Sequence, residues 1–110
     1  MTARKPLIDR VRMALAHLPR VAERTMFGGI TFMVNGKMCI SVGRNRLMCR
    51  IDPESHETAI KRRGAQTVKM KGRAYRGFVH VRADAVASPR DLDYWVRACL
   101  QYNKHAKASR

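Results

Sequence analysis

The sequence is short of acids and of long apolar runs. Only eight of its 110 residues are Asp or Glu, against 23 Lys and Arg, which leaves a formal net charge of +15. No apolar run exceeds a few residues, so a transmembrane helix is not expected. The stretch Met1 to Pro6 leads into an amphipathic pattern rather than the apolar segment of a secretory signal. Cysteines number three, Cys39, Cys49 and Cys99, with no CxxC pair, which argues against a zinc ribbon or a thioredoxin-like site. With no export signal visible, the expected compartment is the reducing cytoplasm, where these thiols stay free and act as small buried hydrophobes. Internal repeats, low-complexity tracts and an interdomain linker are all lacking.

What remains is a chain that is 45% hydrophobic, enough for one core in one domain of this length. The domain is expected to span residues 1–110, ordered over about 6–103 and fraying over 104–110, where no apolar anchor remains. Leu7, Ile8, Val11, Ala14, Leu15 and Leu18 recur at helical spacing, and the pattern predicts a helix from Pro6 to Leu18, closed by Pro19. Strand-like runs follow at Arg24–Phe27, Ile30–Val34, Lys37–Val42 and Leu47–Ile51. Asn35-Gly36 between the second and third is a strong hairpin signal.

A two-residue loop there pairs Val34 with Lys37, Met33 with Met38 and Phe32 with Cys39. That register puts Met33, Met38, Ile40, Val42, Leu47, Cys49 and Ile51 on the face toward the helices. Ile30, Phe32, Val34, Lys37, Cys39, Ser41, Met48 and Arg50 fall on the other face. This second face is mixed in character and offers a surface for a dimer.

Asp52-Pro53 reads as a helix start, with a short helix to Arg63 stopped by Gly64. Gln66–Met70 and Gly77–Arg82 are further strands, joined through Lys71-Gly72-Arg73. Ser88-Pro89-Arg90-Asp91 opens the last helix, whose stripe is Leu92, Trp95, Val96, Cys99 and Leu100. The order is α, three or four β, α, two β, α. It predicts an α+β domain, an antiparallel sheet with helices on one face.

Met26-Phe27-Gly28-Gly29, Asn35-Gly36-Lys37-Met38, and Leu47 leading to Arg50 and Asp52-Pro53-Glu54 together resemble the N-terminal domain of the TfoX/Sxy family. Lys71-Gly72-Arg73 before Gly77-Phe78-Val79, and Trp95-Val96, resemble that domain's second half. The likeness covers about residues 7–102. It implies a small α+β unit of bacterial competence regulators, which act as coactivators alongside the cyclic-AMP receptor protein rather than as enzymes. It also implies a protein partner in the transcription machinery. Full-length competence regulators carry a second, helical domain, whereas this chain resembles a stand-alone version of the first. The resemblance brings no catalytic or ligand-binding residues with it.

Charge is the strongest signal the residues themselves carry. Between Glu57 and Asp84 lie Lys61, Arg62, Arg63, Lys69, Lys71, Arg73, Arg76 and Arg82 with no acid among them. A second acid-free stretch, Arg24 to Ile51, holds Arg24, Lys37, Arg44, Arg46 and Arg50. Such stretches attract phosphate backbones without reading bases, and no helix-turn-helix, zinc finger, RRM or KH signature accompanies them. Lys61, Arg62, Arg63, Lys69, Lys71, Arg73 and Arg76 are the expected polyanion contacts, which makes a stand-alone, sequence-independent nucleic-acid binder the alternative to a protein-binding regulatory domain. A solvated basic face with no nucleic-acid partner is the plainer reading of the same charges.

Other constellations are thin. Phe27-Gly28-Gly29 precedes a strand rather than a helix, so a turn is favoured over a phosphate loop. His17, His56, His80 and His105 are scattered. Cys39 lies near arginines in sequence, but nothing orients a base toward it. Neither an enzyme, nor a cofactor, nor a metal site is expected.

Overall fold

The structure, a computed structural model, describes residues 6–26 and 28–106. Helix α1 (Leu7–Ala14) is followed by strands β1 (Val21–Met26), β2 (Gly29–Val34), β3 (Lys37–Val42) and β4 (Arg46–Arg50). A 3-10 turn (Pro53–Ser55) runs into a one-turn helix α2 (His56–Ala59). Strands β5 (Ala65–Met70) and β6 (Arg73–Arg82), a second 3-10 turn (Ala83–Val86) and helix α3 (Pro89–Asn103) complete the domain. The six strands form one antiparallel sheet in the order β1-β2-β3-β4-β6-β5. The α+β class and the element order match the sequence expectation. No helix among the described residues is long and apolar enough to cross a membrane.

Local signals explain most boundaries. Asp52 accepts the Glu54 amide at 2.9 Å, capping the 3-10 turn that Pro53 begins. Ser88 accepts the Asp91 amide at 3.2 Å and donates to the Asp91 carboxylate at 2.9 Å, so a carboxylate one methylene shorter than the usual Glu serves the capping pair. Helix α1 stops at Ala14 rather than Leu18. The Leu15 amide is shared between Val11 O and Arg12 O, and beyond it the bonds tighten to the i→i+3 kind, with Ala16 donating to Met13 and Leu18 to Leu15, ahead of Pro19. The helix expected to reach Arg63 is shorter too, breaking into turns after Ala59. Residues 104–106, placed by sequence in the fraying tail, form a hydrogen-bonded turn that buries Ala106; 107–110 lie outside the described residues.

The face assignment needs correction. Val34 does pair with Lys37 and Met33 with Met38, but Phe32 pairs with Ile40 rather than Cys39. Cys39 is the extra residue of a β-bulge, and the bulge resets the alternation. Ile30, Phe32, Val34 and Cys39 therefore join Ile40, Val42, Leu47, Cys49 and Ile51 in the core beneath the helices. Met33 and Met38 turn to the opposite face with Met48 and Val68, where Met26 and Phe78 pack against them. Lys37 also belongs to the helix side: its ammonium donates to the Asn103 carbonyl at 2.9 Å, a cation at a helix C-terminus, while the Asn103 amide donates to Val34 O at 3.1 Å.

A second bulge shapes the far end of the sheet. Thr67 pairs with Val79 but Val68 with Tyr75, so Arg76, Gly77 and Phe78 have no partner on β5. This loop docks on the segment around α2. Gly77 donates to His56 Nδ1 at 2.9 Å and accepts from the Ile51 amide at 2.8 Å, and Arg76 donates to Pro53 O at 2.9 Å. Gly77 sits at φ +90, where a Cβ would also stand 3.2 Å from the Ile51 carbonyl, so only glycine fits without strain. Both hairpins, Asn35-Gly36 and Lys71-Gly72, turn through two consecutive positive φ angles.

Candidate anion-binding face

Helices α1 and α3 pack against one face of the sheet, with α3 over β3 and β4. The eight acids follow that asymmetry. Asp9 is on α1, Asp52 and Glu54 flank the start of the first 3-10 turn, Glu57 is on α2, Asp84 is in the second 3-10 turn, and Asp91 and Asp93 are on α3. Only Glu23 lies on a strand, and it turns toward α1 to pair with Arg12 at 2.7 Å. That pairing, mainly its hydrogen bond, holds the Glu23 carboxyl below the ordinary range.

The outward face of the sheet consequently carries no acid. Residues two apart along a strand share a face, so Arg46 and Met48 on β4 stand beside Arg82 and His80 on β6, and Gln66 on β5 stands beside His80. Two adjoining depressions of about 170 and 350 Å³ open here, both lined by Arg46, Gln66 and His80. Gly64, Ala65 and Arg82 also line the smaller, and Thr67 and Lys69 the larger. Arg46 and Arg82 face each other directly across the ladder, an arrangement of like charges that costs a few tenths of a kcal/mol to about 1 kcal/mol when uncompensated. Arg82 is relieved by Asp84 at 3.0 Å, and Asp84 is held below its ordinary range chiefly by that hydrogen bond. Arg46 has no ion pair among the described residues. His80 is half-buried, and burial together with the Arg46 charge pushes its pKa down.

The seven basic residues singled out by sequence divide in space. Arg62 stacks over the Tyr94 ring at 3.6 Å and stands 3.7 Å from Asp91; Arg63 meets Asp84 at 3.4 Å; Arg76 meets Glu57 at 3.4 Å. Lys61, Lys69, Lys71 and Arg73 are exposed with no ion pair among the described residues, and Lys69, Lys71 and Arg73 cluster on the β5–β6 hairpin. The structure thus joins Lys69 to Arg46, which sequence reading assigned to a separate acid-free stretch. His80 and Gln66 went unnoticed as members of this group. Their only sequence signal was polar side chains alternating with buried ones.

Other candidates resolve as structural. Cys39 is buried, and hydrogen bonding to Cys99 together with burial pushes its thiol far above the usual range, so nearby arginines in sequence do not activate it. Cys49 also neighbours Cys99, so all three free thiols gather in the core; the bulge removes the opposite-face placement of Cys39 and Cys49. His56 is buried between Thr67 Oγ1 at 2.8 Å and the Gly77 amide, which fixes its proton on Nε2. Gly29 opens β2 where a Cβ would run into the Val42 carbonyl, in keeping with close packing rather than phosphate binding; Phe27 lies outside the described residues. A larger groove of about 410 Å³ runs between α2 and α3, but its one acid, Asp52, is already engaged in capping.

No curated protein matches the sequence. A solved structure similar to this one is that of Deinococcus radiodurans protein DR2400, described as a DUF419 domain. It aligns with a TM-score of 0.65 at 19% identity, over 91% of this chain and 81% of that one, a likeness of fold. Residues 13–102, the whole sheet, α2 and all of α3 but its last residue, match the model of the TfoX N-terminal domain, and the chain belongs to that family.

Proposed function

We propose that this is a non-catalytic regulatory domain of the TfoX type that docks through its outward sheet face on the phosphate backbone of nucleic acid. One observation carries the reading: seven of the eight acids lie in the helical layer and the segments beside it and the eighth, Glu23 on β1, faces α1, while β4–β6 pairing brings the two acid-free stretches together on the other side. A surface of one sign focuses its potential and gains affinity by releasing condensed counterions, with no base contact needed. A role in transcription fits the family, whose known regulators are coactivators.

The test is a salt series with a mixed-sequence DNA duplex. Affinity should fall steeply with salt and vary little with sequence. Changing Arg46, Lys69, Lys71 and Arg73 together to Ser should flatten the log–log slope by about two to four, at roughly 0.9 per lost phosphate contact. Changing Arg62, Arg63 and Arg76 to Ser should leave the slope nearly unaltered, because acids already hold those guanidiniums. Absence of duplex binding at low salt would refute the backbone reading and leave a protein partner in the transcription machinery as the target.

A further inference from the structure

We propose that Arg46, His80 and Gln66 form a discrete subsite for a single phosphate group, with Lys69 and Arg82 at its rim, and that protonation of His80 strengthens its grip. This rests on the sheet-face reading and adds to it a location, a ligand chemistry and a pH dependence. The three side chains come from three adjacent strands, β4, β6 and β5, and line both depressions on this face. None of them has a protein hydrogen bond or ion pair among the described residues. Among the described residues no buried side-chain nitrogen or oxygen lacks a partner, so the free ring nitrogens of His80 reach solvent rather than being sealed off. The side chains offer a guanidinium fork, an imidazole N–H and a carboxamide N–H, which are donors suited to phosphate oxygens.

The second support is the unrelieved charge. Arg46 sits directly across from Arg82, and Asp84 relieves only Arg82. An anion between Arg46 and His80 would remove the like-charge cost that the empty arrangement carries. It would also reverse the field at His80. The charged and titratable groups near the ring are Arg46 from β4, Lys69 from β5 and Arg82 from β6, all cationic. From β3 the nearby polar group is Ser41, which is uncharged and committed to Thr31 Oγ1 and Ile30 O. In the free protein burial, and after it the Arg46 charge, disfavour the His80 imidazolium. A bound phosphate supplies the missing negative charge and favours the imidazolium. By linkage, affinity must then rise as pH falls.

Two sources could supply the phosphate, an internal phosphodiester of nucleic acid or a free phosphate ion, and two arms separate them. The first measures binding of an unphosphorylated duplex, whose backbone does not titrate in this range, at about pH 8 and about pH 6; we expect about threefold or more tighter binding at the lower pH. The second follows the His80 ring proton by NMR with the duplex and with inorganic phosphate, expecting its titration midpoint to move upward on binding. His80→Gln should keep the binding seen at high pH and lose the gain at low pH. Arg46→Gln should weaken binding at both and, in the free protein, let the His80 midpoint rise toward its ordinary value.

Duplex binding with a steep salt slope, but with affinity and pH dependence untouched by both variants, overturns the subsite and leaves the sheet face standing. Phosphate moving the His80 midpoint while the duplex fails to bind keeps the subsite as a free-phosphate site and overturns the sheet-face reading. Neither ligand moving the midpoint overturns the subsite.

Discussion

Truncating Trp95 is the sharpest test of the packing. The indole is 1% exposed at the middle of α3, between the helix and the strands, with the Tyr94 ring edge-on at 5.1 Å. A buried indole removes about 150–250 Å² from water, worth roughly 4–6 kcal/mol at about 25 cal/mol per Å². Alanine keeps a small part of that, and measured Trp→Ala costs run about 3–5 kcal/mol. Against a total stability of about 5–15 kcal/mol, Trp95→Ala should leave the domain near unfolding. For a domain of this size, each kcal/mol moves the melting temperature by about 4–8 °C, so a loss of more than about 12 °C is expected by far-UV circular dichroism. Trp95→Phe, which keeps an apolar ring, should lose far less and show that the effect is volume rather than misfolding. A melting temperature for Trp95→Ala within about two degrees of the parent would mean the indole is not in the core, and the placement of α3 would be wrong.

His56→Ala strands the buried Gly77 amide, which should cost about 1–3 kcal/mol in urea unfolding and speed hydrogen exchange at Gly77; unchanged protection there would remove His56 from its structural role. The three thiols should resist a disulfide reagent in the folded protein and all react once it is unfolded without reductant; a rapidly labelled native thiol, or fewer than three on unfolding, would contradict their free, buried state.

Local chemistry made much of the fold legible. Ser88 and Asp52 cap the elements they were expected to cap, and Asn35-Gly36 turns the expected hairpin. The faces of that hairpin were misread because a bulge leaves no residue-type signature here. Cys39 looks like any small hydrophobe, yet its insertion puts Ile30, Phe32, Met33, Val34, Lys37, Met38 and Cys39 itself on the opposite side of the sheet from the one expected. The end of α1 was overestimated for a related reason. Leu18 keeps the helical spacing and packs against the core while the backbone before it tightens into turns, because packing of a side chain does not require the i→i+4 bond.

The candidate site was less legible, since its chemistry is assembled by pairing between distant strands. An acid-free stretch in sequence is not an acid-free surface in space. Arg62, Arg63 and Arg76 have no acid inside their own stretch, yet α2, the second 3-10 turn and α3 each bring one to them. The converse holds for Arg46, whose neighbours in sequence are a turn and a strand but whose neighbours in space are Arg82, His80 and Lys69. The charges that remain available to a partner are the residue of this pairing. Helix starts attract acids to their N-terminal turns, strands have no such demand, and a domain with few acids that uses them at Asp52, Glu54 and Asp91 has one on its strands, Glu23, which faces α1. The basic outward face therefore follows from where the helices begin, and an acidic substitution there, such as Gln66→Glu beside His80, should cost the fold little while cancelling the charge on which the proposed docking depends.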